Sequence, residues 1–328
     1  MPEDTPALSG QAAEIVFDGV TKRYPGRTEP AVDDLSLTIP AGEICVLVGP
    51  SGGGKTTAMK LVNRLISLTE GDIRIDGRSI GSLDETELRR GIGYVIQQVG
   101  LFPHMTVAGN IGTVPRLLGW DRGRIDARVR ELLDLVGLDA EGDRGRYPAQ
   151  LSGGQRQRVG LARALAADPP LMLMDEPFGA IDPITRERLQ DEFLRLQEEL
   201  RKTVIFVTHD IDEAIKMGDR IAILAEGGRL AQYDTPDRIL AEPANDFVAR
   251  FVGQDRGLKR LSLATLEDLD LEPITNGAIG PRAPVETSLR DALSMMLTHR
   301  GEAVVAVDGD GEPVGLATVD AVSRALSS

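Results

Sequence analysis

The chain carries, at residues 49–57, the stretch Gly49-Pro50-Ser51-Gly52-Gly53-Gly54-Lys55-Thr56-Thr57. It fits the pattern G-x-x-x-x-G-K-[ST], whose glycines let backbone N–H groups approach an anion without a Cβ atom in the way. The apolar run at 44–48 before it is typical of a buried parallel strand, and a helix, whose dipole favours anions at its start, is predicted over 58–65. The stretch therefore predicts a phosphate-binding loop, with Lys55 at the β- and γ-phosphates and Thr56 as a ligand of Mg²⁺.

The composition limits the class of protein. A length of 328 residues suggests about two domains, and 41% hydrophobic residues are enough for a normal core, which excludes a disordered chain. The formal net charge is −14. This acidic balance argues against a nucleic-acid-binding protein, because neutralising phosphates requires an excess of lysine and arginine.

Three features indicate the cellular compartment. Cys45 is the single cysteine, which excludes an intrachain disulfide and favours a reducing cytosol. No apolar run approaches the ~20 residues needed to span a bilayer, and residues 1–4 lack the basic start of a signal peptide. We expect a protein that reaches a membrane only through a partner.

Polar residues follow three further predicted strands. Asp175 and Glu176 come directly after the apolar run at 171–174, where one carboxylate can hold Mg²⁺ and the other can polarise an attacking water. Gln97 lies at the end of a predicted strand, and His209 follows another. Taken singly, Gln97 is more often an ordinary polar residue at a strand end, and a lone histidine is more often a structural hydrogen-bonding group.

Two other stretches are candidates for nucleotide contact. The stretch Ser152-Gly153-Gly154-Gln155 leads into a predicted helix at 156–167 and makes a second anion-binding helix N-terminus, although Ser-Gly-Gly is also an ordinary way to enter a helix. Tyr24 lies in a predicted turn rich in glycine and proline. It is either an aromatic that stacks on a flat base or a partly exposed turn residue.

The strand ends are more informative together than singly. Apolar strands are predicted to end at Gly49, Asp175 and His209, and a fourth at Gln97. In open α/β sheets, ligands bind beyond the carboxyl ends of the strands. Four polar positions at four such ends therefore predict one shared site.

The order of these motifs resembles that of an ATP-binding-cassette (ABC) ATPase over residues 12–252. The resemblance implies an α/β fold: a P-loop NTPase core with a parallel sheet, an antiparallel β subdomain and a helical subdomain at about 98–155. It also implies ATP and Mg²⁺ as cofactors.

The resemblance also implies residue roles. Glu176 is expected to be the general base, His209 the switch that senses the γ-phosphate, and Gln97 a catalytic residue near the metal. Tyr24 is expected to stack on adenine, and Asp182 to belong to the loop that joins two subunits. The remaining implied contacts are Thr56, Gln97 and Asp175 with Mg²⁺, and Gly49, Pro50, Ser51, Gly52, Gly53, Gly54, Lys55, Thr56, Thr57, Ser152, Gly153, Gly154 and Gln155 with nucleotide.

In that family the loop at Lys55 and the helix start at Ser152 serve different nucleotides, so the resemblance implies a two-fold homodimer that clamps two ATP molecules. The stretch at 92–105 is similar to ATPases that drive uptake of glycine betaine, choline or proline. The implied partners are permease subunits and, indirectly, an extracytoplasmic substrate-binding protein, with this chain at the cytoplasmic face of the membrane.

Beyond a predicted linker at 253–257, residues 258–328 resemble a single, partial cystathionine-β-synthase (CBS) module. Strands are predicted at 303–307 and 314–317, with a hairpin turn between them. The acidic residue usual three positions after Thr318 is replaced by Ala321. A dimerisation or regulatory module that binds no nucleotide is therefore favoured over an active ligand sensor.

Two alternatives stay open at this stage. One is an ABC ATPase that acts on nucleic acid or ribosomes, although such proteins usually carry two cassettes or long coiled-coil insertions. The other is a nucleotide-dependent switch with little turnover, against which Glu176 and His209 argue.

Overall fold

The computed structural model describes residues 11–96, 100–179, 181–274 and 280–327. It divides into two compact units, the first ending at Thr235 and the second beginning at Pro236. The strands of the first unit are β1 (Ile15–Lys22), β2 (Val32–Ile39), β3 (Ile44–Val48), β4 (Glu70–Ile75), β5 (Arg78–Ser79), β6 (Ile92–Val95), β7 (Leu171–Asp175), β8 (Thr203–Val207), β9 (Arg220–Ala225) and β10 (Arg229–Asp234). Its helices are α1 (Lys55–Val62), α2 (Glu85–Arg90), α3 (Val107–Ile111), α4 (Thr113–Leu117), α5 (Arg122–Leu135), α6 (Gly153–Leu165), α7 (Pro183–Leu200) and α8 (Ile211–Met217).

A six-stranded sheet forms the centre of the first unit, in the order β10-β9-β3-β8-β7-β6. The five strands from β9 to β6 are parallel, and β10 pairs antiparallel with β9. Every residue of β3 and β8 is buried, which explains their continuous apolar sequences. Because these strands are parallel, the carboxyl ends of β3, β8, β7 and β6 lie at one edge of the sheet, as the sequence predicts.

The antiparallel subdomain is a four-stranded sheet in the order β2-β1-β4-β5. Its inward-facing residues, Ile15, Phe17, Leu35 and Ile39 among them, join one core with Leu47 and neighbouring residues of the central sheet. Helices α3, α4 and α5 fall within the predicted helical segment. The predicted α/β fold class is confirmed.

The second unit contains α9 (Pro236–Ala241), α10 (Asp246–Val252), α11 (Arg256–Arg260), β11 (Arg282–Pro284), α12 (Leu289–His299), β12 (Ala303–Val307), β13 (Pro313–Thr318) and α13 (Val319–Ser327). Its strands form a three-stranded sheet, with β12 parallel to β11 and antiparallel to β13. The unit begins before the predicted linker because α9 packs against α11 and Arg260 pairs with Asp237 at 2.6 Å. Over the described residues, no helix is both long enough and apolar enough to cross a bilayer.

Candidate functional site

The phosphate loop joins β3 to α1. Gly54 is the residue before α1 and has a left-handed backbone, with φ of 77°. A Cβ atom at Gly54 would lie 2.2 Å from the carbonyl oxygen of Ala31, so only glycine fits this position. The close approach brings the loop against residues 24–31, and both segments line a cavity of about 1530 Å³.

Lys55 lies at the base of this cavity. Its Nζ donates hydrogen bonds to the carbonyl oxygens of Gly49, at 2.7 Å, and Pro50, at 2.9 Å. Burial lowers the pKa of Lys55, and the carboxylates of Glu176 and Asp175 act in the opposite direction. The ammonium group is therefore held inside the loop with two carboxylates near enough to act on it.

Thr56 and Asp175 meet at the ends of two neighbouring segments, α1 and β7. The Thr56 hydroxyl donates to Asp175 Oδ1 at 3.1 Å. Burial raises the pKa of Asp175, while the hydrogen bond from Thr56 lowers it. A hydroxyl and a carboxylate are hard oxygen ligands, which suit Mg²⁺ when the phosphates supply the rest. Among the described residues, no cluster of three or more His, Cys, Asp or Glu side chains could hold a metal by itself.

Glu176 and His209 face each other across the ends of β7 and β8. Glu176 Oε1 lies 3.2 Å from His209 Nδ1, and both side chains line the cavity that holds the phosphate loop. The backbone of Glu176 has φ of 44°, a left-handed conformation unusual for a residue with a side chain. The Glu176 N–H donates to the carbonyl of Val207 at 2.9 Å, which anchors this conformation to β8.

Tyr24 lines the same cavity. Lys22 Nζ lies 5.2 Å from the centre of its ring. Sequence reasoning missed Arg27, Glu226 and Arg229, which also line the cavity. The turn that carries the last two approaches residue 31 because Gly228 leaves room there, a long-range contact for which the sequence contains no signal.

The Ser152 stretch lies in a different cavity. The Ser152 hydroxyl accepts a hydrogen bond from the N–H of Gln155 at 3.2 Å, and Gln155 Oε1 accepts from the N–H of Ser152 at 3.0 Å, so the two cap α6 reciprocally. Ser152, Gly153, Gly154 and Gln155 line a cavity of about 460 Å³ together with Asp182, the residue that caps α7. The structure thus brings Lys55, Glu176 and His209 together, and Ser152 with Asp182 elsewhere. The predicted Gln97 lies outside the described residues.

A phosphate loop, a carboxylate pair at the end of β7 and a second glycine-rich helix start define an ABC ATPase. A sequence profile described as ABC transporter matches residues 32–179, and one described as CBS domain matches residues 281–328. The chain belongs to the ABC family of transporter ATP-binding proteins, and the resemblance drawn from its motifs is confirmed.

Relatives within the family are transport proteins. The chain is 51% identical to the osmoprotectant import ATP-binding protein OsmV of Salmonella typhimurium, over 92% of this chain and 78% of that protein. It is 48% identical to the glycine betaine/carnitine/choline transport ATP-binding protein OpuCA of Bacillus subtilis, over 94% and 80%. It is 47% identical to the glycine betaine uptake system ATP-binding protein YehX of Escherichia coli, over 92% and 96%.

Solved structures support the same assignment. The dimeric ATP-binding cassette MJ0796, bound to ADP and Pi in a post-hydrolysis state, matches with a TM-score of 0.59 at 37% identity, over 67% of this chain and 98% of that one. The ABC transporter protein cbiO1 of Clostridium perfringens matches with a TM-score of 0.64 at 26% identity, over 70% and 91%. The chain is therefore an ABC ATPase that binds ATP.

Proposed function

We propose that two copies of this chain bind two ATP molecules at their shared interface and hydrolyse them to drive osmoprotectant import. The separation of the two phosphate-binding helix starts carries this proposal. Lys55 lines one cavity of the first unit and Ser152 another, so a nucleotide held by both must lie between two chains. The dimeric relative bound to ADP and Pi supports this arrangement.

The proposed roles follow the geometry of the first cavity. Backbone N–H groups of the loop at 49–57 and the ammonium of Lys55 hold the phosphates, and Tyr24 stacks on adenine. Glu176 takes a proton from the attacking water, and His209, 3.2 Å from it, fixes the position of that carboxylate near the γ-phosphate.

The residues at the edge of the central sheet suit Mg²⁺. Thr56 and Asp175 would hold the ion, and Gln97 would approach it; when bound, the ion neutralises charge on the phosphates. Ser152, with the backbone N–H groups that follow it, would bind the γ-phosphate of the nucleotide held by the other copy. Asp182, whose pKa is lowered mainly by the hydrogen bond from the N–H of Thr185, would lie beside it as a carboxylate.

The transported substrate and partners are proposed from the relatives. Their names specify uptake of glycine betaine, carnitine, choline and other osmoprotectants. We infer a separate permease as the direct partner and an extracytoplasmic substrate-binding protein as an indirect one, with this chain at the cytoplasmic face of the membrane. All the relatives named are transport proteins, which disfavours the alternative of action on nucleic acid or ribosomes.

The second unit fits a regulatory or dimerisation role better than nucleotide binding. The hydroxyl of Thr318 donates to Glu272 Oε1 at 3.0 Å and accepts from the N–H of Ala321 at 3.2 Å. Arg324 lies 3.7 Å from the same carboxylate. The hydroxyl of Thr318 is thus engaged by the chain's own groups, which disfavours a nucleotide there.

The test is the Glu176→Gln variant of the purified chain. Losing the general base should lower ATP turnover by roughly 10²–10⁴-fold while ATP still binds. Trapped ATP should then shift the variant from monomer to dimer in size-exclusion chromatography. The matched control is Glu198→Gln, an identical change at an exposed position of α7 that should hydrolyse ATP normally.

Normal ATP turnover by Glu176→Gln would show that this carboxylate is not the general base. A variant that stays monomeric with ATP would contradict nucleotide sites shared between two copies. Substrate choice is tested separately, by uptake of labelled glycine betaine, choline and proline into cells that carry either variant. ATP hydrolysis without uptake of any of these compounds would refute the proposed substrates and leave the proposed ATPase activity standing.

A further inference from the structure

Two pairs of side chains join helix α7 to helix α8. Gln190 of α7 donates from Nε2 to Glu213 Oε1 of α8 at 2.9 Å, and Gln190 is only 5% exposed. Further along the same two helices, Asp191 Oδ1 pairs with Lys216 Nζ at 2.8 Å, and their side chains are 49% and 31% exposed. The second pair is thus a surface ion pair, a kind that contributes little to stability.

Glu213 contacts the segment that carries His209. Thr208, which is 1% exposed, directly precedes the histidine; its hydroxyl accepts from the N–H of Asp210 at 3.1 Å and donates to the carboxylate of Glu213. Asp210, which directly follows the histidine, accepts at Oδ1 from the N–H of Glu213 at 3.3 Å. Both neighbours of His209 along the chain are therefore hydrogen-bonded to Glu213.

The carboxylate of Glu213 also interacts with the start of α7. Arg186 donates from Nη2 to the carbonyl oxygen of Ile181 at 3.0 Å, and Ile181 is the residue before Asp182. The positive charge of Arg186 acts on the carboxylate of Glu213. The acid that holds the His209 segment therefore also interacts with the side chain that holds the loop before Asp182.

Stability does not explain a charged acid at this position. Burial raises the pKa of Glu213, and Asp210 acts in the same direction. Hydrogen bonds from Thr208 and Gln190, together with the charge of Arg186, lower it. Because the pKa stays above its ordinary 4.5, these contacts offset only part of the cost of burying the charge. A residue that costs stability in this way is expected where function requires it.

We propose that Glu213 is a positioning residue of the ATPase reaction, which fixes the His209 segment and the loop before Asp182 in one arrangement. This inference rests on the roles proposed above for His209 and Asp182. His209 lies 3.2 Å from Glu176 in the cavity of the phosphate loop, whereas Asp182 lines the cavity of Ser152, which is assigned to the nucleotide of the other copy. Each chain thereby positions its parts of both nucleotide sites through one carboxylate.

The test compares Glu213→Gln with Asp191→Asn in the full chain, by the kcat and KM of ATP hydrolysis. Glu213→Gln keeps the shape of the side chain but removes its charge and one of its two acceptor oxygens. We expect kcat to fall about tenfold, within the ~10²-fold that a misplacement of about 1 Å can cost. KM for ATP should not change, because the phosphate loop is untouched. Asp191→Asn makes the same acid-to-amide change in the neighbouring pair and should keep both constants.

The Tm at pH 7 separates positioning from a merely structural role. A structural role predicts a lower Tm together with the lower kcat, whereas we expect a Tm at or above that of the wild type. A normal kcat for Glu213→Gln, a change confined to KM, an equal loss of kcat in Asp191→Asn or a fall in Tm alongside kcat would each overturn the inference and leave the proposed ATPase standing. A wild-type chain that hydrolyses no ATP would refute the proposed function, and this inference with it.

Discussion

Replacing Gly54 by alanine tests the packing that places the phosphate loop. Gly54 and Gly52 both have a left-handed backbone, with φ of 77° and 84°. A Cβ atom at Gly52 would meet nothing within 4 Å, whereas one at Gly54 would lie 2.2 Å from the carbonyl oxygen of Ala31 and 3.1 Å from the Cα of Gly228. The two positions therefore share the conformational cost of alanine and differ in the steric clash.

The magnitudes can be estimated for each variant. Left-handed alanine costs about 1–2 kcal/mol, and the smaller freedom of the unfolded chain returns about 0.4–1 kcal/mol. Gly52→Ala should thus lose about 1 kcal/mol. Gly54→Ala adds an overpacking cost of about 1–3 kcal/mol, because the atoms it meets are backbone and cannot rotate away. At roughly 2–4 °C per kcal/mol for a unit of this size, we expect a fall in Tm of about 2–4 °C for Gly52→Ala and about 5–15 °C for Gly54→Ala.

The assay is thermal unfolding of the nucleotide-free chain followed by circular dichroism, so that effects on ATP binding do not enter. Gly52→Ala is the matched control, since it lies in the same loop with nearly the same φ. Equal Tm values for the two variants would refute the reasoning, because the contact between Gly54 and Ala31 would then carry no constraint.

Three further outcomes are expected. Lys55→Ala should abolish ATP binding, because it removes the one full positive charge held within the loop, and tight binding in a fluorescence titration would contradict that role. Burial raises the pKa of Glu213 above its ordinary 4.5, so the folded wild-type chain loses stability as pH rises and Glu213 ionises. Glu213→Gln should therefore match the wild-type Tm near pH 4 and exceed it at pH 7. An equal gain in Tm at both pH values would be inconsistent with this cause. Burial raises the pKa of Cys45 to about 12, so iodoacetamide at pH 8 should label it only after denaturation, as mass spectrometry can show; labelling of the native chain would argue against its burial.

The central strands were predictable because burial on both faces leaves a continuous apolar sequence. The predicted strands at 44–48 and 303–307 match β3 and β12 residue for residue. The bounds of α1 were predicted less accurately: the helix predicted at 58–65 begins at Lys55 and ends at Val62. The residue at its N-cap is Gly54, a left-handed glycine that cannot cap with a side chain, so the usual Ser, Thr, Asp or Asn signal is missing.

Helix α7 shows a different limit of sequence reasoning. It spans 18 residues, of which only Leu189, Gln190 and Phe193 are buried, so its apolar period is weak. Prediction of the functional site from the sequence has a limit of its own. Local motifs identified Lys55, Glu176 and His209, but the approach of Gly228 to Ala31 depends on tertiary packing between segments far apart in the chain.

The left-handed backbone of Glu176 is one of the features that place its side chain in the phosphate cavity. Holding a residue with a side chain at φ of 44° costs roughly 1–2 kcal/mol, and such strain persists only where the surrounding structure enforces it. Here the N–H of Glu176 is tied to Val207 of β8, whose next residues lead to His209. With this backbone, the Glu176 carboxylate lines the phosphate cavity and lies 3.2 Å from His209 Nδ1. The sequence shows which residue follows the strand, whereas the strain explains why that residue points at the site.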